Sequence, residues 1–322
     1  MNNELIIMVG IPGAGKSTKC IEYEQQGYKV HSSDAIRIEK LGTDKNQEHN
    51  NYIFQIMKQR TEEDLKAGHS VVYDATNISR KRRRALIQQM GKHASTVKAH
   101  VILRPLATLL LYNMDRDFPM NQLRNYIRNF NMPTFTEGFD EITYSLTPNS
   151  LYEWSNSIDD IITFFKKVVT DGYIDMKLHP WYKRIHKYDQ NNKYHTKTLD
   201  QHIYEVSKRA REFNDKEVLL AALFHDIGKP ITRVPNNHGT SSYYGHENVS
   251  AYETAILLVT LMEHEEIKEL NLDYHKIIML IAYHMRMRNT QSKKAKNKLI
   301  EEIGRDLYPH LCELFVCDVS GK

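Results

Sequence analysis

The chain has 322 residues, 41% apolar and 26% charged, a length that exceeds one ordinary core and implies two domains. No apolar run approaches the ~18 residues needed to cross a bilayer. The N-terminus "MNNELIIMVG" also lacks the basic start and long apolar centre of a secretion signal, so no membrane partner and a cytoplasmic location are expected. A net charge of +4 and a pI near 8.7 permit a nucleic-acid partner without demanding one, and Cys20, Cys312 and Cys317 form no disulfide framework.

In chain order, "ELIIMV" reads as a buried strand and "KSTKCIEYEQQ" as a helix. "YKVHS" is a strand, "NQEHNNYIFQIMKQRTEEDLKAG" a helix, "SVVYDA" a strand, "SRKRRRALIQQMGKH" a helix and "TVKAHVIL" a strand. This alternation predicts an α/β domain, a parallel sheet with helices on both faces. "PLATLLLYNMDR" and "MNQLRNYIRNF" look helical, "EITYS" is a last short strand, and "SIDDIITFFKKVV" is expected to close the domain. Residues 169–194 carry no period and read as a linker between domains at 1–168 and 195–322. From Lys197 every apolar segment has helical spacing, so the second domain is expected to be all-α.

"GIPGAGKS", Gly10 to Ser17, fits G-x-x-x-x-G-K-[ST] between a strand and a helix, as a phosphate-binding P-loop requires. Gly10, Gly13 and Gly15 let backbone N–H groups converge on phosphate oxygens, and the helix beginning at Lys16, Ser17 and Thr18 adds its positive end. Lys16 is placed to reach the β- and γ-phosphates of ATP, and Ser17 to ligate Mg²⁺. In "HSSDAIR", Asp34 follows the second strand, where open α/β sheets put their chemistry. It is either a base for an acceptor hydroxyl, with Arg37 one turn on to hold an anion, or part of an N-cap with Ser33.

"GIPGAGKST", "SSDAIR" and "VVYDATNISRKRR", in this order, resemble the P-loop polynucleotide 5′-kinases of nucleic-acid repair. The resemblance covers residues 1 to about 145. It implies Asp34 as base, Arg37 as the grip on the acceptor's 3′-phosphate, Asp74 as the carboxylate near Mg²⁺, and Thr76 or Asn77 beside the acceptor. It also implies Arg116 as a lid arginine on the moving phosphoryl group. The partner lid arginine falls on Tyr112, so either Arg124 or Arg128 replaces it or the clamp is weaker. The run Arg80 to Arg84 is either a backbone contact or a solvated face.

"LFHDIGKP" places His225 beside Asp226, ligand types for hard or borderline divalent metals. His202, His246, His284 and Asp318 each stand in or beside an apolar helix, where a polar residue needs a reason to be present. The ordered set is similar to the HD phosphohydrolase superfamily, and "YHTKTLDQH" to HD modules of tRNA-end enzymes, with His195 an uncertain participant. The resemblance implies one metal on His202, His225, Asp226 and Asp318. It implies a second on His246 and His284, with Asp226 bridging. One or two ions of Mn, Ni, Co, Fe or Mg fit such N/O ligands. Lys229 is placed to bind phosphate, and Arg286 and Arg288 either hold non-bridging oxygens or lie on the surface. His264, His275 and His310 fit no ligand position.

Together the resemblances imply a nucleic-acid end-healing enzyme. One half phosphorylates 5′-hydroxyl ends with ATP, and the other removes 2′,3′-cyclic, 2′- or 3′-phosphate. Nucleic-acid ends, RNA ahead of DNA, would be its partner, with a separate ligase acting afterwards. Kinase-first order departs from the fused relatives. The alternatives are a small-molecule kinase fused to an HD nucleotidase, and an ATP-binding module regulating an HD hydrolase.

Overall fold

The computed structural model describes residues 2–44, 48–116, 118–148, 150, 152–192, 196–237 and 239–321. They form two compact units, Met1–Arg104 with Leu109–Tyr126 and Pro133–Asn149, and Pro105–Thr108 with Ile127–Met132 and Ser150–Lys322.

The first unit is built on five parallel strands, β1 (Glu4–Val9), β2 (Lys29–Ser32), β3 (Val71–Asp74), β4 (Thr96–Leu103) and β5 (Glu141–Leu146), in the order β2-β3-β1-β4-β5. The central strand β1 is buried from Leu5 to Val9, as expected of a strand covered on both faces. The helices here are α1 (Lys16–Gln25), α2 (Ser33–Leu41), α3 (Asn50–Lys66) and α4 (Arg80–Met90). Helices α5 (Leu106–Asp115) and α6 (Met120–Arg128) are shared between the units. Register sets Ser32 opposite Asp74 and Val9 opposite Val101. The C-terminal ends of β2, β3, β1 and β4 therefore lie along one edge, where this class of sheet places ligands.

The second unit contains α7 (Ile158–Lys166), α8 (Tyr182–Ile185), α9 (Leu199–Ala210), α10 (Lys216–Phe224), α11 (Lys229–Thr232), α12 (His246–Leu261), α13 (Glu265–Lys268), α14 (Tyr274–Tyr283), α15 (Lys293–Ile303) and α16 (Leu307–Ser320). Helices α10 and α12 are buried along most of their length, without the exposed polar face of a surface helix.

Three expectations change. The helix read as closing the first domain, α7, belongs to the second unit, and so does the segment read as a linker. Trp181 in that segment is 1% exposed, and its ring centroid lies 5.7 Å from that of Phe224 on α10. Phe165 of α7 stacks on the same Phe224 at 5.8 Å. The segment lacks a period because it packs through isolated anchors rather than a helix face. The second unit is not purely helical either, since β6 (Val234–Pro235) and β7 (Ser241–Ser242) pair antiparallel. Helix α10 ends at Phe224, and His225 and Asp226 stand in the turn beyond it.

Candidate active sites

In the first unit, β1 runs into the loop Gly10–Gly15, and α1 starts at Lys16. Gly13 has φ +82°, and a Cβ there would lie 2.6 Å from Asn113 Nδ2, so both conformation and space demand glycine. Asn113 Nδ2 in turn donates to Pro12 O at 3.0 Å, and the Thr147 hydroxyl donates to Ala14 O. Lys16 Nζ donates to Gly10 O at 3.0 Å and Ile11 O at 3.3 Å. Desolvation within the loop pulls its pKa down, opposed by the charges of Asp74 and Asp34. Ser17 and Thr18 are exposed at the helix start.

Asp74 ends β3 and is 5% exposed, with Oδ1 buried and without a hydrogen-bond partner. Burial raises its pKa, against the pull of the Lys16 ammonium. An unsatisfied buried carboxylate oxygen, a glycine cradle and the Ser17 hydroxyl fit Mg²⁺ and a nucleotide triphosphate.

Asp34 lies in the first turn of α2, its side chain 70% exposed and paired with Arg37 Nη1 at 2.7 Å. Neither Ser33 nor Asp34 is the N-cap; that position falls on Ser32, which makes no side-chain cap bond. Arg37 is itself buried, its Nη2 donating to Asn50 Oδ1 at 2.9 Å.

Three readings need correction here. Asn77 does not face an acceptor: it is 6% exposed at φ 45°, and its Nδ2 donates to Met8 O at 2.8 Å, clasping the ends of β1 and β3. Thr76 is half-buried beside the phosphate loop, its carbonyl accepting from Gly10 N at 3.0 Å. Within the basic run, Arg83 is fully buried and bidentate to Glu137 at 2.8 and 2.7 Å, so the five residues are no continuous surface. Arg128 donates to Thr232 O at 3.2 Å within the second unit.

Sequence reasoning missed Arg104, at the end of β4. Its guanidinium lies 4.5 Å from the Tyr112 ring centroid, and that of Arg116 lies 5.5 Å from the same ring. The ring edge is 3.0 Å from where a Cβ on Gly13 would stand. Tyr112 thus supports two guanidinium groups beside the phosphate loop. Arg124 is exposed on α6. No motif announces Arg104, because only the strand register brings it to the loop.

In the second unit, six side chains converge although the chain between the first and last spans more than a hundred residues. His202 lies on α9, His225 and Asp226 follow α10, His246 opens α12, His284 follows α14, and Asp318 lies on α16. All six are 4% exposed or less. Gly228 permits this, because a Cβ there would meet His246 O at 2.5 Å.

The imidazoles share one device. Nδ1 of His225, His246 and His284 each lies 2.7–2.8 Å from a carbonyl three residues earlier, and Nδ1 of His202 lies 3.3 Å from Gly321 O. A carbonyl only accepts, so each Nδ1 donates and each Nε2 turns a lone pair inward. The Nε2 atoms of His202 and His225 face each other at 3.3 Å, as do those of His246 and His284. Two lone pairs facing each other repel unless a cation lies between them. Nitrogens 3.3 Å apart, each ~2.1 Å from one ion, subtend roughly 100° at it, an acceptable coordination angle.

Asp226 stands between the pairs. Its Oδ2 is 3.2 Å from Nε2 of both His202 and His225, and its Oδ1 is 3.1 and 3.7 Å from Nε2 of His246 and His284. Asp318 Oδ1 lies 3.4 and 4.0 Å from the first pair. The residues fall into two ligand triads, His202–His225–Asp318 and Asp226–His246–His284. Burial pulls the pKa of His284 down to about 3, keeping it neutral, the form that can donate a lone pair to a metal. Desolvation would raise Asp226, but His225 and Lys229 hold it well below the ordinary carboxylate range.

Lys229 Nζ reaches Asp226 Oδ2 at 2.6 Å and the buried Gln190 Oε1 at 2.7 Å. Arg288 Nη2 reaches Asp318 Oδ2 at 2.8 Å, while Arg286 turns to Glu302 at 3.0 Å. His195 lies outside the described residues. A third acidic group, Asp215, His310 and Glu313, is half-exposed, and the Lys276 ammonium 2.9 Å from Asp215 supplies its cation.

Residues 5–132 match the AAA domain family and residues 199–319 the HD domain family. The chain joins a P-loop domain to a helical HD domain. No curated protein matches it. Among solved structures, it is similar to a chain of the Pnkp1/Rnl/Hen1 RNA repair complex, at 20% identity and TM-score 0.37 over 40% of this chain and 44% of that one. A second structure of the Pnkp1/Rnl/Hen1 complex gives 21% and 0.30 over 49% and 50%. An unliganded sugar kinase from a Janibacter species gives 16% and 0.33 over 46% and 85%. The chain spans half or less of the RNA-repair chains it matches. Among the described residues no helix is long and apolar enough to cross a membrane.

Proposed function

From a P-loop domain joined to an HD domain, we propose an enzyme that heals both ends of a broken polynucleotide. It adds phosphate to a 5′-hydroxyl and removes phosphate from the 3′ end. The observation that carries this reading is the closed six-ligand cluster around Asp226 on the same chain as a complete phosphate cradle. Adding and removing phosphate on one small metabolite would be futile. On a strand break the two reactions act at different ends.

In the first unit, the exposed Asp34 takes the proton of the 5′-hydroxyl. The oxygen attacks the γ-phosphorus, the bond to the β-phosphate oxygen breaks, and ADP leaves. Lys16, Arg116 and Arg104 hold the charge that develops on the moving phosphoryl group, and Ser17 and Asp74 would hold Mg²⁺.

In the second unit, the six cluster residues would hold two divalent cations, which supply an acidified water and polarise phosphoryl oxygens. Lys229 and Arg288 orient those oxygens, and water displaces the ribose oxygen at phosphorus, leaving a 3′-hydroxyl.

The test offers γ-labelled ATP with 5′-hydroxyl oligonucleotides and, separately, free nucleosides. Label on the oligonucleotides, lost in Asp34→Asn with ATP binding retained, is expected. Label confined to nucleosides would overturn the polynucleotide assignment.

A further inference from the structure

Between His284 and Lys298 the chain carries six cations, Arg286, Arg288, Lys293, Lys294, Lys296 and Lys298, and no acidic residue. The whole chain nets +4, so everything outside this stretch sums to −2. The stretch is anchored to the metal cluster twice: it starts at His284, and Arg288 holds Asp318 at 2.8 Å. Helix α15 then begins after Ser292, whose Oγ accepts from Ala295 N at 3.1 Å. It buries Leu299 and Ile303 and turns all four lysines to solvent.

Elsewhere exposed and half-exposed lysines find carboxylates, among them Lys40, Lys66, Lys98, Lys268 and Lys276. None of the four on α15 enters an ion pair among the described residues, and the Lys296 ammonium lies 5.1 Å from the Tyr308 ring centroid. These ammonium groups meet an external anion without breaking an internal pair. From Lys293 to Lys298 they span about 8 Å of helix axis. That is longer than a single phosphate group, so the four charges together match a run of backbone phosphates rather than one.

We propose that this strip is the track that holds the phosphodiester backbone of a polynucleotide while its 3′ end lies at the cluster. It makes the HD half a polynucleotide enzyme rather than a mononucleotidase. The inference rests on the end-trimming reading of that half and names the surface that holds the strand.

In the test, Lys293, Lys294, Lys296 and Lys298 are changed together to Gln, which keeps helix propensity, and in a control to Arg, which keeps the charge. Phosphate release by the metal-loaded full-length protein is followed on a single-stranded oligonucleotide phosphorylated at both ends and on a nucleoside 3′-phosphate, across a salt series. The Gln variant is expected to raise KM for the oligonucleotide about tenfold and to flatten its salt slope by up to about 3, at ~0.7 per phosphate. Mononucleotide turnover stays within twofold and the Arg variant behaves as the parent. Equal effects on both substrates, an unchanged slope, or an Arg variant no better than Gln would overturn the proposal. If the parent releases phosphate from neither substrate, the end-trimming reading fails separately. The strip is then judged by fluorescence anisotropy of the same oligonucleotide, where a flatter salt slope in the Gln variant supports it and identical slopes refute it.

Discussion

Each cluster imidazole spends its Nδ1 proton on a main-chain carbonyl, so the four Nε2 lone pairs are aimed before any ion arrives. Asp226 turns one oxygen to each pair, which makes it the residue two ions would share. Asp226→Asn should lower bound metal from two ions per chain to one or none by elemental analysis. Phosphate release should fall by more than ~100-fold, since even outer-shell partners cost 10–100-fold. Kinase activity should be unaffected. Arg104→Ala should lower kcat of phosphoryl transfer by ~10²-fold while the KM for ATP moves only a few-fold, because the arginine meets charge that develops in the transition state. An equal rise in KM would mark it as a ground-state contact. The six HD residues were legible only as an ordered set that resembles a known superfamily, since any one of them alone reads as a hydrogen-bonded core residue. Arg104 and Gln190 were not, because each reaches its place through register or packing that leaves no spacing in the chain.

The same distinction operates between elements. The strands of the sheet were legible from their apolar runs and the P-loop from glycine spacing. The second unit's edge was not. Residues 169–194 hold it through Trp181, buried against Phe224, with Arg184 at 3.0 Å from Glu253. Trp181→Ala should destabilise this unit by about 3–5 kcal/mol, read by denaturant unfolding, and a true linker would show no loss. The basic run on α4 misled for a related reason. Composition cannot say that Arg83 faces inward to Glu137, whereas on α15 the buried Leu299 and Ile303 fix which side the lysines take.

At the scale of the molecule, both units bury neutral histidines away from the metal cluster. His100 bridges Tyr23 and Ser145 at 2.7 Å, His179 reaches Leu223 O at 3.0 Å, and burial pushes both down to about 4. Above pH 6.5 the folded and unfolded chains both carry them neutral. As pH falls toward 4 the unfolded chain takes up protons that the fold refuses. Stability should therefore drop across that window, by about 1.4 kcal/mol per pH unit for each histidine. Denaturant unfolding at pH 7.5 and 5.0 with chelator present, so that metal loss does not contribute, would read the drop; equal stabilities would contradict it.

The most direct measurement is the mass of a single RNA bearing a 5′-hydroxyl and a 2′,3′-cyclic phosphate after incubation with the protein, ATP, Mg²⁺ and a second divalent metal. The account predicts a product with phosphate at the 5′ end and hydroxyls at the 3′ end. Lys16→Ala should abolish only the first change and Asp226→Asn only the second. An RNA unchanged at both ends, or either substitution abolishing both changes in a folded protein, would contradict two separate sites serving two ends of one break.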